Sequence, residues 1–131
     1  MQSQKNTYEL HFKVRDYECD MEGIVNNSVY QNYLEHTRHE MLRERGNSFA
    51  QMVERKIFPV IARVDIRYKY PLRSGDEFIV TCNTEIDSYK LMFYQKIYRL
   101  PDRKLCVDAV VTGVITINGK MIKPSVLDIG F

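Results

Sequence analysis

The chain has 131 residues, with 19 Lys and Arg against 17 Asp and Glu and a formal net charge of +2. That length suits one domain, 1–131, with a buried core and no second independent one. So small a charge leaves no electrostatic footprint for a nucleic acid or a membrane surface. Cys19, Cys82 and Cys106 cannot all pair within one chain, and none stands in a CxxC or other short metal spacing. Reduced thiols and a cytoplasmic location are therefore expected. The N-terminal "MQSQKNTYELHFKV" has no apolar run of signal-peptide length, and no run of about 18 apolar residues occurs anywhere.

Residues 7–14, "TYELHFKV", alternate Tyr8, Leu10, Phe12 and Val14 with polar neighbours, the period of a half-buried strand. After the turn "ECDMEGIVNN" the period changes. Tyr30, Leu34, Thr37 and Met41, flanked by Val29, Tyr33 and Leu42, recur at helical steps from Asn27 until Gly46 offers a stop. A short second helix is expected over "NSFAQMVERK", with Ser48 and Gln51 at capping-box spacing.

Strands follow. "VIARVDIRYKY" reads with Val60, Ala62, Val64, Ile66, Tyr68 and Tyr70 on one face, ended by Pro71. After "RSGDE" come Phe78 to Ile86, a turn at Asp87–Ser88, "LMFYQKIYRL", a "PDRK" turn and "LCVDAVVTGVITI". Asn118–Gly119 then signals a hairpin into "KMI". One long helix beside four or five antiparallel strands makes an α+β domain. Residues 105–117 are apolar on much of both faces, so a second copy packing edge-to-edge or face-to-face is expected to cover them.

Three groupings could carry chemistry. Asp20 lies in a strand-to-helix turn whose Gly23 permits left-handed backbone, and Asn26 or Asn27 can cap the helix. This is either an acidic turn with capping asparagines or a carboxylate set to act beside backbone N–H groups at a helix start. In "EHTRHE", His36 and His39 are one turn apart, but zincin spacing would require a histidine where Arg43 stands. A solvated helix face with a Glu35–Arg38 pair is the expectation, without a metal. Arg63, Arg67, Lys69 and Arg73, with Lys90, are either a charged sheet face or a phosphate site. No GxSxG elbow, P-loop or GxGxxG occurs, so no nucleotide cofactor is implied.

The stretch "ECDMEGIVNNSVYQNYLEHTR", with "YPLRSGDEFIV" and "MFYQKIY", resembles the hotdog-fold acyl-CoA thioesterases of the 4-hydroxybenzoyl-CoA thioesterase-like family. The resemblance covers nearly the whole chain. It implies a long central helix wrapped by a five- or six-stranded antiparallel sheet, and subunits that join their sheets as a homodimer, often paired into a homotetramer. It implies acyl-CoA hydrolysis to a carboxylic acid and coenzyme A. Asp20 would be the catalytic carboxylate, as nucleophile or general base, and the Asn27 N–H would hold the thioester oxygen. Gly23, Val25 and Tyr33 would contact the substrate, and Lys90 the phosphates of coenzyme A along a subunit interface. The acyl pocket would be lined by residues from the helix and from a neighbouring subunit, and Tyr33, Phe58 and Tyr68 would suit aromatic or medium chains equally well. Two positions depart from the family pattern: Glu18 stands where many relatives have the first Asp of Asp-x-Asp, and Ile24 where a common variant has His. Alternatives are an acyl-carrier-protein thioesterase and a non-catalytic acyl-CoA-binding protein.

Overall fold

The computed structural model describes residues 7–127; the outermost residues of the expected 1–131 domain, 1–6 and 128–131, lie outside the described residues. Strand β1 (Tyr8–Lys13) and a 3-10 turn (Asp16–Glu18) lead to α1 (Asn27–Glu44) and α2 (Phe49–Glu54). Strands β2 (Ile57–Tyr68), β3 (Glu77–Asp87), β4 (Lys90–Leu100), β5 (Lys104–Ile117) and β6 (Lys120–Ile122) follow. No helix among the described residues is long and apolar enough to cross a membrane.

Both ends of α1 follow from local sequence. Asn26 is extended, at φ −65° and ψ 139°, and its side chain accepts the Ser28 N–H at 3.3 Å, so Asn26 and not Asn27 is the cap. At the far end Gly46, at φ +91°, donates to Arg43 O at 3.1 Å and Asn47 to Leu42 O at 2.8 Å, the paired bonds of a Schellman stop. The expected capping box of α2 is present, with Gln51 N–H on Ser48 Oγ at 3.1 Å and Ser48 N–H on Gln51 Oε1 at 3.0 Å.

The six strands form one antiparallel sheet in the order β1-β3-β4-β5-β2, with β6 on β5, and the sheet packs on α1 in the expected hotdog arrangement. The helix buries Tyr30, Tyr33, Leu34, Thr37, Met41 and Leu42, the stripe expected from its period. Around the helix start, Tyr30, Tyr33 and Leu34 meet Val14, Val25, Leu72, Phe78 and Val107. Around its end, Met41 and Leu42 meet Met52, Ile57, Leu91 and Ile115. Gln95, wholly buried on β4, donates to Leu34 O at 3.0 Å and accepts from Arg38 Nη1 at 3.1 Å, tying helix to sheet. Arg38 thus turns into the sheet, and the Glu35–Arg38 pair expected from spacing is replaced by Glu35 beside His39 at 3.9 Å.

Two expectations for the strands change. Residues 105–117 are an interior strand, hydrogen-bonded to β4 on one side and β2 on the other, so no second copy can add along them. That excludes the edge-to-edge packing expected there; Val110 and Val114 on the outer face are half-buried. The long edge strands are β1 and β2, at the two ends of that order. In β2 a bulge skips Ala62, because Ile61 pairs with Gly113 and Arg63 with Thr112. Paired residues share a face, so Val60 and Phe58 lie outward with Val114 and Thr116, while Ile61, Val64, Ile66 and Tyr68 face the helix side with Val111, Ala109 and Val107. The single apolar face read over 60–70 does not exist.

Candidate active site

The turn before α1 is a closed loop. Cys19 and Val25 form an antiparallel bridge, Asp20 N–H donates to Ile24 O at 2.9 Å, and Gly23 N–H donates to Asp20 O at 3.0 Å. Gly23 sits at φ +81°, which a residue with a Cβ rarely adopts, so the glycine is required by the backbone. Asp20 is exposed, and its Oδ1 accepts the Glu22 N–H at 2.9 Å; Oδ2 has no partner among the described residues.

At the base of the loop the chain enters α1. Asn26 N–H donates to Glu18 O at 3.0 Å, and Val25 N–H to Leu72 O at 2.9 Å. Asn27 is the first helical residue, and its N–H has no partner among the described residues. It is one of the unpaired donors at the positive end of an 18-residue helix. Beside it the Tyr68 hydroxyl stands 3.5 Å from Asn27 O, and the Tyr68 ring packs on Tyr30 at 5.5 Å. Tyr68 and the exposed Val64 and Ile61 share the helix side of β2, with Tyr68 at the helix start, Val64 near Gln31, Leu34 and Arg38, and Ile61 further along the strand.

The other expected site residues fall differently. Val25 is 2% exposed and Tyr33 3%, both in the core around the helix start, so neither offers a side chain to open solvent. The Tyr33 hydroxyl donates to Glu18 Oε1 at 2.7 Å. Burial, together with that carboxylate, raises the pKa of the hydroxyl and keeps it a donor. Phe58 lies on the outer face of β2, opposite Tyr68, so Tyr33, Phe58 and Tyr68 of one chain do not share a surface.

Lys90 opens β4 at the Asp87–Lys90 turn, whereas the Asp20 loop lies against the start of β3 near Leu72 and Arg73. The 11 residues of β3 between them span roughly 33 Å at about 3.3 Å per residue. One chain therefore does not bring Lys90 to Asp20. Arg63 and Arg67 are on the outer face of β2, while Arg73 bridges Ile24, so the basic residues form no single cluster.

A cleft of about 870 Å³ along the β1 edge is lined by Phe12, Arg15, Glu18, Tyr33 and His36, but it includes neither Asp20 nor Asn27. His36 packs on Phe12 and His39 on Phe49, and among the described residues no three His, Cys, Asp or Glu side chains gather as a metal would require. What remains is an exposed carboxylate on a hydrogen-bonded loop, an unpaired helix N–H and the Tyr68 ring beside it. Such a set can polarise a carbonyl and attack it, or activate water against it. Sequence reading did not find the buried Glu18 or the placement of Tyr68. The signal for Glu18 was its position two residues before Asp20, with Tyr33 on the buried stripe.

A family model described as the thioesterase-like superfamily matches residues 14–127. The acyl-acyl carrier protein thioesterase ATL3 of Arabidopsis thaliana chloroplasts is 35% identical over 103 residues, which are 78% of this chain but 54% of that protein. This chain thus spans about half the length of that relative. The long-chain acyl-CoA thioesterase FadM of Escherichia coli is 29% identical over 107 residues, covering 81% of this chain and 80% of FadM. The crystal structure of a hypothetical protein from Aquifex aeolicus superposes with a TM-score of 0.87 at 27% identity, covering 95% of this chain and 99% of that one.

Proposed function

This chain belongs to the thioesterase-like superfamily, and from that premise we propose that it hydrolyses acyl-CoA thioesters to a carboxylic acid and coenzyme A. The observation that carries the reading is the unpaired Asn27 N–H at the mouth of α1, directly after the loop that presents Asp20. The thioester oxygen rests on that N–H, where the helix dipole and the free donor stabilise the negative charge that develops on it. Asp20 then acts in one of two ways. As nucleophile it forms an acyl-aspartyl anhydride, expels the coenzyme A thiolate and is released by water. As general base it takes a proton from water, whose hydroxide adds to the carbonyl before the thiolate leaves. Either route suits a site with no strong general acid, because a thiolate leaves without being protonated first.

The single chain supports only part of the site. We place a second copy along β2, so that Ile61, Val64 and Tyr68 are covered and Lys90 of that copy is free to meet the phosphates of coenzyme A. Gly23 contributes by shaping the loop. Val25 and Tyr33 hold it from the core.

A second reading, with an acyl-carrier-protein thioester as substrate, is favoured by the similarity to ATL3. The test is a hydrolysis screen of short, long and aromatic acyl-CoAs and of the matching acyl-carrier-protein thioesters, followed with a thiol-detecting reagent. Thiol release from acyl-CoA is the expected result. Release from the carrier protein alone would replace the first reading with the second, and binding without turnover would make the chain an acyl-CoA-binding protein.

A further inference from the structure

We propose that Glu18 and Tyr33 are positioning residues that hold the Asp20 loop at the mouth of α1, an inference that rests on the thioesterase reading above. Glu18 is 8% exposed, an unusual setting for a carboxylate unless its oxygens are satisfied. Its Oε1 accepts the Tyr33 hydroxyl at 2.7 Å and the Arg15 N–H at 2.8 Å, and its Oε2 accepts the Arg15 guanidinium at 3.3 Å. Its main-chain oxygen accepts the N–H of the helix cap, Asn26, at 3.0 Å. Glu18 therefore ties the limb entering the Asp20 loop both to the cap of α1 and to a residue further along the same helix.

The limb leaving the loop is tied to α1 as well. Val25 N–H donates to Leu72 O at 2.9 Å, and Leu72 N–H donates to the Tyr30 hydroxyl at 3.0 Å. Ile24 bridges Arg73 next to it. Tyr30 and Tyr33 stand nearly one turn apart, with ring centroids 6.1 Å apart and edge to face. Both limbs thus report to one helix, and that helix also carries the Asn27 N–H. The carboxylate and the oxygen-binding donor are held to a common rigid frame, as a reaction that depends on their relative placement requires. Since Tyr33 is buried and its hydroxyl is spent on Glu18, it acts on substrate only through Asp20.

Loss of a buried hydrogen bond lowers stability whether or not it positions anything, so the test separates turnover from folding. Tyr33→Phe keeps the ring and removes the bond. Glu18→Gln keeps an oxygen for Tyr33 and for the Arg15 N–H, while Glu18→Ala keeps neither. Met52→Ala, in the core at the other end of α1, supplies a destabilised control. Steady-state kinetics on an acyl-CoA hydrolysed by the wild type, with Tm for each variant, should show kcat down about tenfold or more for Tyr33→Phe and Glu18→Ala. KM should stay within about twofold of wild type, as expected when ground-state binding is untouched. Glu18→Gln should keep most of its turnover, and Met52→Ala should keep its kcat despite a lower Tm. Wild-type kcat in folded Tyr33→Phe and Glu18→Ala would overturn the assignment, as would an equal fall in Met52→Ala. If Glu18→Ala misfolds, Tyr33→Phe decides alone. A wild type that hydrolyses no acyl thioester would overturn the functional reading first, and this inference with it.

Discussion

Asn27 enters the account through its backbone. Its side chain is spare, because the helix is capped by Asn26, and its N–H is the donor assigned to the thioester oxygen. Asn27→Ala should therefore leave turnover near wild type. Asn27→Pro should stay folded, since proline suits the first helical position and the preceding Asn26 is already extended, at ψ 139°. It deletes the donor, however, and turnover should fall about a hundredfold or more. Circular dichroism and steady-state kinetics on the two variants check this, and equal turnover in two folded variants would move the oxygen contact elsewhere. At this scale the sequence was informative where chemistry is local: the acidic turn, Gly23 and the helix start could all be read from "CDMEGIVNN". It misled at Arg38. Helical spacing names the neighbours along the helix, Glu35 among them, but not which side chains rotate toward the sheet, where Gln95 waits.

Strand β2 sets the conditions for assembly. It is a 12-residue edge hydrogen-bonded to β5 on one side, and Phe58, Val60, Ile61, Val64, Tyr68 and Tyr70 along and just beyond it are each more than a third exposed. A long apolar edge invites another strand. The bulge at Ala62 brings Ile61 and Val64 to the helix side of β2, the face that carries Tyr68 further along the strand at the helix start, so a strand covering the whole edge also runs past the helix start. Ile61→Lys with Val64→Lys should give a folded chain that runs as a monomer in light scattering at micromolar concentration and has lost most of its turnover. A wild type that is itself a stable monomer, or a charged variant that keeps both mass and activity, would contradict an interface at β2. The sequence announced a sticky strand but pointed to residues 105–117. Hydrophobic patterning does not say whether a strand's edges are free, and the strand order, with β5 between β4 and β2, excludes edge-to-edge packing there. The bulge was invisible too, because it depends on how β2 registers against Gly113, whose Cα approaches Val60 O so closely that an added Cβ would lie 3.1 Å from it.

For the whole molecule, the architecture was legible because each level of the sequence agrees with the next: one amphipathic helix with clear caps, then strands separated by turn residues. What the sequence could not supply was distance. Lys90 belongs to the expected site by resemblance, yet β3 separates it from Asp20 within one chain, so the account requires a second copy to unite them. The two core clusters divide accordingly, one beneath the Asp20 loop and one beneath the turn that carries Lys90's end of the sheet. Everything rests on Asp20 being the group that reacts. The direct measurement is thiol release from acyl-CoA by the full chain and by Asp20→Asn, with circular dichroism to establish that both are folded. The account expects turnover by the wild type and a loss of at least about a hundredfold in the variant, whether Asp20 serves as base or as nucleophile. Near wild-type turnover in a folded Asp20→Asn protein would contradict it.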